Sequence, residues 1–330
     1  DLQWLDAATL DLLEELLTRA EVGHLLLVGA YRNNEVDADH PLSSKLKAIR
    51  SAGAHIAEIR LTPLAGVHIE QLIAESLRCP PASIVTLARL VLDKTGGNPF
   101  FVIQFLQALA EEELLIYDHQ LNRWRWDLEL INGKGYTDNV VDLMVGKLAR
   151  LPLETRQALQ QLACLGNVAR IDTLATVLDL STARVHAALW PAVRQELVEL
   201  HENACAFAHD RIHEAAYSLI AEDERAQTHL RIGRLLALQT SLEGREGAIF
   251  EIVGQLNRGA SLISARAERE QLAEFNLLAG QRAKASTAYT SALSYLGAGA
   301  ALLAEHGDDS RHELGFALEL NRAECEFLTG

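Results

Sequence analysis

Residues 198–220 read VELHENACAFAHDRIHEAAYSLI. Two short apolar stretches, 198–201 and 204–208, are of a length that suits a hairpin. From His209 the pattern changes to that of a helix, running to Ile220. The stretch before it, 139–195, reads as helices near 140–150, 153–164, 171–178 and 181–195. Residues 139–222 are therefore expected to form a compact helical domain with a β-wing.

Further upstream the chain is again helical. Residues 67–78, 82–94 and 99–113 read as helices, broken at Cys79-Pro80-Pro81 and at Thr95-Gly96-Gly97-Asn98-Pro99. Residues 113–117 and 123–127 are expected to pair as a hairpin, and the Gly- and Asn-rich residues 131–139 to form a loop. The first 64 residues have another rhythm. Helix 5–20, with Asp6 as its N-cap, leads to an apolar run, 24–31 (HLLLVGAY), that reads as a strand buried on both faces. Helix 42–52 and strand 56–61 follow, ending at Pro63. That alternation is the rhythm of a parallel α/β sheet, of which only the last part is present. Beyond Asp223 nearly everything reads as helix. Small and aromatic residues recur there (Ala283, Ala288-Tyr289, Ala292, Tyr295), letting paired helices approach closely as in helical repeats. The expected fold class is mainly α.

The 330 residues are 49% hydrophobic and 23% charged, the balance of a globular protein of about two domains. Forty-five acidic and 30 basic residues give a net charge of −15, which disfavours nucleic acid as the main partner. Cys79, Cys164, Cys205 and Cys325 form no C-x-x-C pair, so neither a zinc site nor a disulfide framework is expected, and a reducing cytoplasm fits best. No apolar run approaches the roughly 18 residues of a membrane span. The chain starts at Asp1 without a methionine, and we expect it to be a fragment of a longer protein.

Four stretches carry chemistry. Asp1-Leu2-Gln3-Trp4-Leu5-Asp6 matches the second half of the acidic strand end that holds Mg²⁺ and polarises water in P-loop ATPases; an N-capping aspartate explains it equally. Arg32, closing the run 24–31, is placed to sense a γ-phosphate, or to pair with Glu35 or Asp37. Gly96-Gly97-Asn98-Pro99-Phe100-Phe101 offers a helix start that could face a nucleotide, or a plain helix–helix connection. His209, at a strand-to-helix junction, could donate to a phosphate with Asp210 capping the next helix, or could be a satisfied packed histidine.

Taken in order, these stretches resemble the STAND-type signal-transduction ATPases, relatives of the AAA+ proteins. The likeness is to the ATPase region of large bacterial proteins that also carry a serine/threonine kinase-like domain, helical repeats, a GAF domain and a sensor histidine kinase. It rests on DLQWLDAATLDLLEELL, HLLLVGAYRNNEV, TGGNPFFVIQFLQAL and FAHDRIHEAAYSLI, within residues 1–220. The resemblance implies a P-loop ATPase remnant over 1–64, a helical lid with a hairpin over 65–138, a winged-helix-like domain over 139–222 and TPR-like repeats over 223–330. It implies ATP/ADP and Mg²⁺ as ligands in the complete protein. Asp1 would serve catalysis and Mg²⁺, and Arg32 would match the sensor-1 position. Gly97 and Pro99 would match the GxP motif against the adenine, and His209 would touch the β-phosphate of ADP. The implied function is a nucleotide-operated switch, with attached kinase and sensor domains or proteins bound by the repeats as partners.

One departure is large. No GxxxxGK[ST] loop is present; Gly133-Lys134 and Gly146-Lys147 are the only Gly-Lys pairs and neither precedes Ser or Thr. The loop is expected upstream of Asp1, and weak or no ATP binding by this chain alone follows. Two other functions compete. A DNA-binding regulator would read through helix 181–195, which offers Arg184, His186 and Arg194 but no clustered basic face. A helical-repeat scaffold would not turn over nucleotide.

Overall fold

The computed structural model describes all residues except 1, 6, 20–23, 34–35, 39, 134–139, 241, 305–311 and 330. Its described residues are mainly helical, with two small sheets. They divide into two compact units: residues 1–60 with 241–330, and residues 61–240.

In the first 60 residues, α1 (Ala7–Thr18) packs on α2 (Pro41–Ser51). Leu10, Leu42 and Ile49 are buried, and Lys45 bridges Asp11 at 2.5 Å and Glu14 at 2.7 Å. Asp6, the expected N-cap of α1, lies outside the described residues. The residues expected as strands at 24–31 and 56–61 form no regular element and join neither sheet. A strand is completed by a ladder partner. Here Leu2 N donates to Ala30 O at 2.9 Å, and Glu58 accepts from Tyr31 Oη at 2.8 Å and from the Arg50 guanidinium at 3.0 Å. Residues expected inside a sheet are exposed instead: Leu26 and Val28 at 85%, Ile59 at 87% and Leu61 at 88%.

Residues 61–240 hold two apolar clusters. The first is built from α3 (Gly66–Leu77), α4 (Val85–Thr95), α5 (Pro99–Glu111) and the hairpin β1 (Leu115–Asp118) with β2 (Arg123–Trp126). Ile73, Leu87, Val91, Phe105 and Leu109 fill it. The hairpin pairs Leu115 with Trp126 and Asp118 with Arg123; its first strand starts two residues later than expected and ends one later, and its second ends one residue earlier. The expected loop after it begins as helix, α6 (Leu128–Gly133), because Asp127 Oδ1 accepts from the N–H groups of Glu129 and Leu130.

The second cluster runs through α7 (Val140–Ala149), α8 (Leu153–Leu165), β3 (Val168–Arg170), α9 (Ile171–Leu178), α10 (Thr182–Val193), β4 (Val198–Leu200), β5 (Ala204–Phe207) and α11 (Asp210–Ser218). Met144, Leu159, Leu162, Val185, Leu189 and Ile212 are its centre. The hairpin β4–β5 is where the sequence places it; β3, three residues long, was not expected. It joins β5 antiparallel, giving the order β3-β5-β4. The unit closes with α12 (Glu222–Gln239), whose Arg231 donates to Val177 O at 3.0 Å and whose Gln239 accepts from Thr176 Oγ1 at 2.8 Å.

From 242 onward come α13 (Leu242–Arg258), α14 (Arg266–Ala285), α15 (Tyr289–Ala304) and α16 (His312–Thr329). They pack as expected through small residues. A Cβ on Gly280 would stand 2.5 Å from Leu296, so α14 and α15 meet there only through glycine. Among the described residues no helix is long and apolar enough to cross a membrane.

Candidate functional site

The turn between α4 and α5 is fixed before any ligand is considered. Thr95 Oγ1 donates to Val91 O at 2.6 Å and accepts from Gly97 N at 3.3 Å. Gly97 sits at φ +75°, and its carbonyl accepts from Leu64 N at 2.8 Å. A Cβ there would stand 2.3 Å from Leu64 O. Gly97 is thus required by the backbone of residue 64. Asn98 caps α5, its Oδ1 accepting from Phe101 N at 3.1 Å, and Pro99 occupies the first helical position with its ring exposed.

Helix α5 then faces two ways. Phe101, Val102, Phe105 and Leu109 enter the first cluster, whereas Phe100 packs against the second. Phe100 meets His209: the rings stack with centroids 4.2 Å apart and planes within 11°. The two stretches singled out at 97–100 and 209 therefore meet, through Phe100 and His209.

His209 is the N-cap of α11, its Nδ1 accepting from Arg211 N at 3.1 Å; Asp210, expected as the cap, is the first helical residue instead. The strand β5 delivers residue 209 in extended conformation, φ −156°, which aims the side chain back over the helix start. The same Nδ1 lies 2.5 Å from Asp210 Oδ1. A carboxylate only accepts, so that contact uses a proton on Nδ1, whereas the cap uses a bare Nδ1. Two partners thus compete for one nitrogen.

A second tie between α5 and α7 was not expected. Lys147 Nζ donates to Gln104 Oε1 at 2.9 Å and Gln107 Oε1 at 3.2 Å, with Glu111 Oε1 at 3.7 Å. Its side chain is 5% exposed. Burial holds the ammonium below the usual lysine range, opposed by the nearby carboxylates of Glu111 and Glu196. Arg150 adds an ion pair to Glu112 at 2.6 Å. Lys147 drew notice in the sequence only as half of a Gly-Lys pair.

No family model matches the chain. It is similar to hybrid signal transduction histidine kinase G of Dictyostelium discoideum. The two are 27% identical over 371 aligned positions, which take in 94% of this chain and 11% of that protein. The chain thus spans about a tenth of the relative's length. No solved structure matches.

The other expected site residues are Asp1 and Arg32. Asp1, expected to serve catalysis and Mg²⁺, lies outside the described residues. Arg32 belongs to the unit of residues 1–60 and follows the apolar run that ends at Tyr31. Among the described residues no group of three His, Cys, Asp or Glu side chains is placed to hold a metal ion. Sequence reading missed Phe100 as a partner of His209, and nothing local could have paired them.

Proposed function

We propose that this chain is part of a signalling protein and carries the lid half of an ATP/ADP-operated switch of the STAND type. The stack of Phe100 on His209 carries the reading. It brings the start of α5, which this reading assigns to a helical lid, against the strand-to-helix junction at His209, which it assigns to a winged-helix-like domain. The similarity to a signal transduction histidine kinase supports a signalling setting. The groups present suit the base-and-diphosphate side of a nucleotide. Pro99 exposes an apolar ring, Phe100 and His209 supply a ring pair, and the imidazole offers a nitrogen to an anion. They include no GxxxxGK[ST] loop, so the grip on the phosphates falls to residues outside this set.

In this reading ADP holds lid and winged helix together by bridging Pro99 and His209. Bound ATP supplies the γ-phosphate whose presence or loss distinguishes the two arrangements, and Mg²⁺ accompanies it. The switch works because the two nucleotides differ in affinity for the two arrangements. Its output passes to attached kinase or sensor domains. The test is ADP affinity of the longest natural protein containing this chain, measured by calorimetry with Pro99→Ala and His209→Ala. Both variants are expected to weaken ADP about tenfold or more. Unchanged affinity in both would sink the switch.

A scaffold is the second reading. It is favoured by the close packing of α14, α15 and α16, where Gly280 meets Leu296 and Gly299 meets Leu318. A scaffold of TPR-like hairpins leaves ADP affinity untouched by either variant.

A further inference from the structure

His209, His213 and Tyr217 stand four residues apart, so they lie along one face of α11. Each meets a different neighbour. His209 stacks on Phe100 of α5. His213 places Nε2 3.0 Å from Ala163 O of α8 and meets Phe207 of β5 edge-on, centroids 5.5 Å apart. Tyr217 Oη is hydrogen-bonded to His229 Nε2 of α12 at 2.9 Å, with the Arg225 guanidinium 4.8 Å above its ring. His229 is 1% exposed. Because His229 is buried, separating this pair is costly.

We propose that Tyr217 and His229 are positioning residues that carry the state of His209 to α12. Helix α11 is short and hydrogen-bonded throughout, so it moves as a rod. Tyr217 lies about 12 Å along the axis from His209. A rotation that lifts His209 off Phe100 turns Tyr217 through the same angle and pulls its hydroxyl from His229. α12 then keeps its ties to α9 through Arg231 and Gln239 but loses the hydrogen bond from His229 to Tyr217 of α11. The regulatory meaning of this coupling rests on the switch reading above. The coupling itself is a property of residues 61–240 and is measurable without nucleotide.

The test is a double-mutant cycle read by hydrogen–deuterium exchange at the α12 amides of Leu230, Ile232 and Gly233. Tyr217→Phe is expected to speed their exchange roughly fivefold. His209→Ala is expected to speed it about twofold in the wild-type background and not at all beside Tyr217→Phe. The milder Phe100→Leu perturbs the same stack from α5 and should repeat the pattern if His209→Ala folds poorly. Equal factors in both backgrounds would overturn the proposal, since α12 would then respond only to general loosening. So would an unchanged rate in Tyr217→Phe. ADP added to the longest natural protein gives a separate arm. Failure to bind it would count against the switch and leave the cycle to decide the coupling. Binding that protects α12 in wild type but not in Tyr217→Phe would support both.

Discussion

At the scale of single residues, two contacts between α5 and the elements after it carry different energies. The Phe100–His209 stack is partly exposed, with the His209 side chain at 34%. Phe100→Leu keeps apolar bulk but loses ring-on-ring contact, and should lower stability by about 1 kcal/mol in urea unfolding. Lys147 behaves otherwise, because its charge is buried. Its folded-state pKa is lowered, so between that value and the ordinary lysine value the unfolded chain binds more protons. Stability from this group therefore rises with pH across that alkaline window, and its penalty is fully present below it. Lys147→Met has no such term. The urea midpoint of wild type, relative to Lys147→Met, should climb as pH approaches about 10.5. A pH-independent difference would show that the buried ammonium is not desolvated. Cys205 titrates far from neutrality, burial pushing its thiol up to about 11. It should resist alkylation in the native protein while half-buried Cys79 reacts first, as mass spectrometry of brief iodoacetamide treatment would record.

At the scale of elements, the α4–α5 turn is the part where local chemistry and tertiary contact agree. Asn98 caps, Pro99 starts the helix, and Gly97 admits Leu64. Asn98→Ala should cost about 1 kcal/mol, the usual worth of a cap. Gly97→Ala should cost more, about 2–4 kcal/mol, since it adds a Cβ at φ +75° only 2.3 Å from a backbone oxygen. Thermal unfolding of both variants checks that order. Most elements were legible because their signals lie within a few residues of one another. Helix α9 falls at 171–178 as the sequence places it, and β4 and β5 fall within their expected hairpin. The misses share a cause. β3 is three residues long, too short for any period to register, and exists because β5 offers it a ladder. Residues 24–31 and 56–61 carry strand composition but lack a ladder, so composition alone misled.

At the scale of the whole molecule, residues 24–31 and 56–61 expose large apolar side chains. Leu26, Val28, Ile59 and Leu61 are each at least 85% exposed, and both segments leave backbone edges outside either sheet. Such edges template pairing with other chains. Replacing Leu26 and Ile59 with lysine should reduce self-association in sedimentation velocity while leaving the unfolding of residues 61–240 unchanged. If association persists, it comes from another surface. The chain alone is expected to bind ATP weakly or not at all, because no GxxxxGK[ST] loop is present. Micromolar affinity by calorimetry would contradict that.

The sequence by itself determined what is encoded within one turn of helix or one hairpin: the helical content, the tight turns, the small residues at which α14, α15 and α16 close on one another. It also marked the stretches around Gly97 and His209 as unlike their surroundings. Only the tertiary structure decided that these two stretches touch, that Phe100 is the residue between them, and that Lys147 is buried against Gln104. Phe100 and His209 are more than a hundred positions apart. Local propensity acts between near neighbours along the chain, whereas such meetings depend on which apolar faces bury one another once the helices have formed.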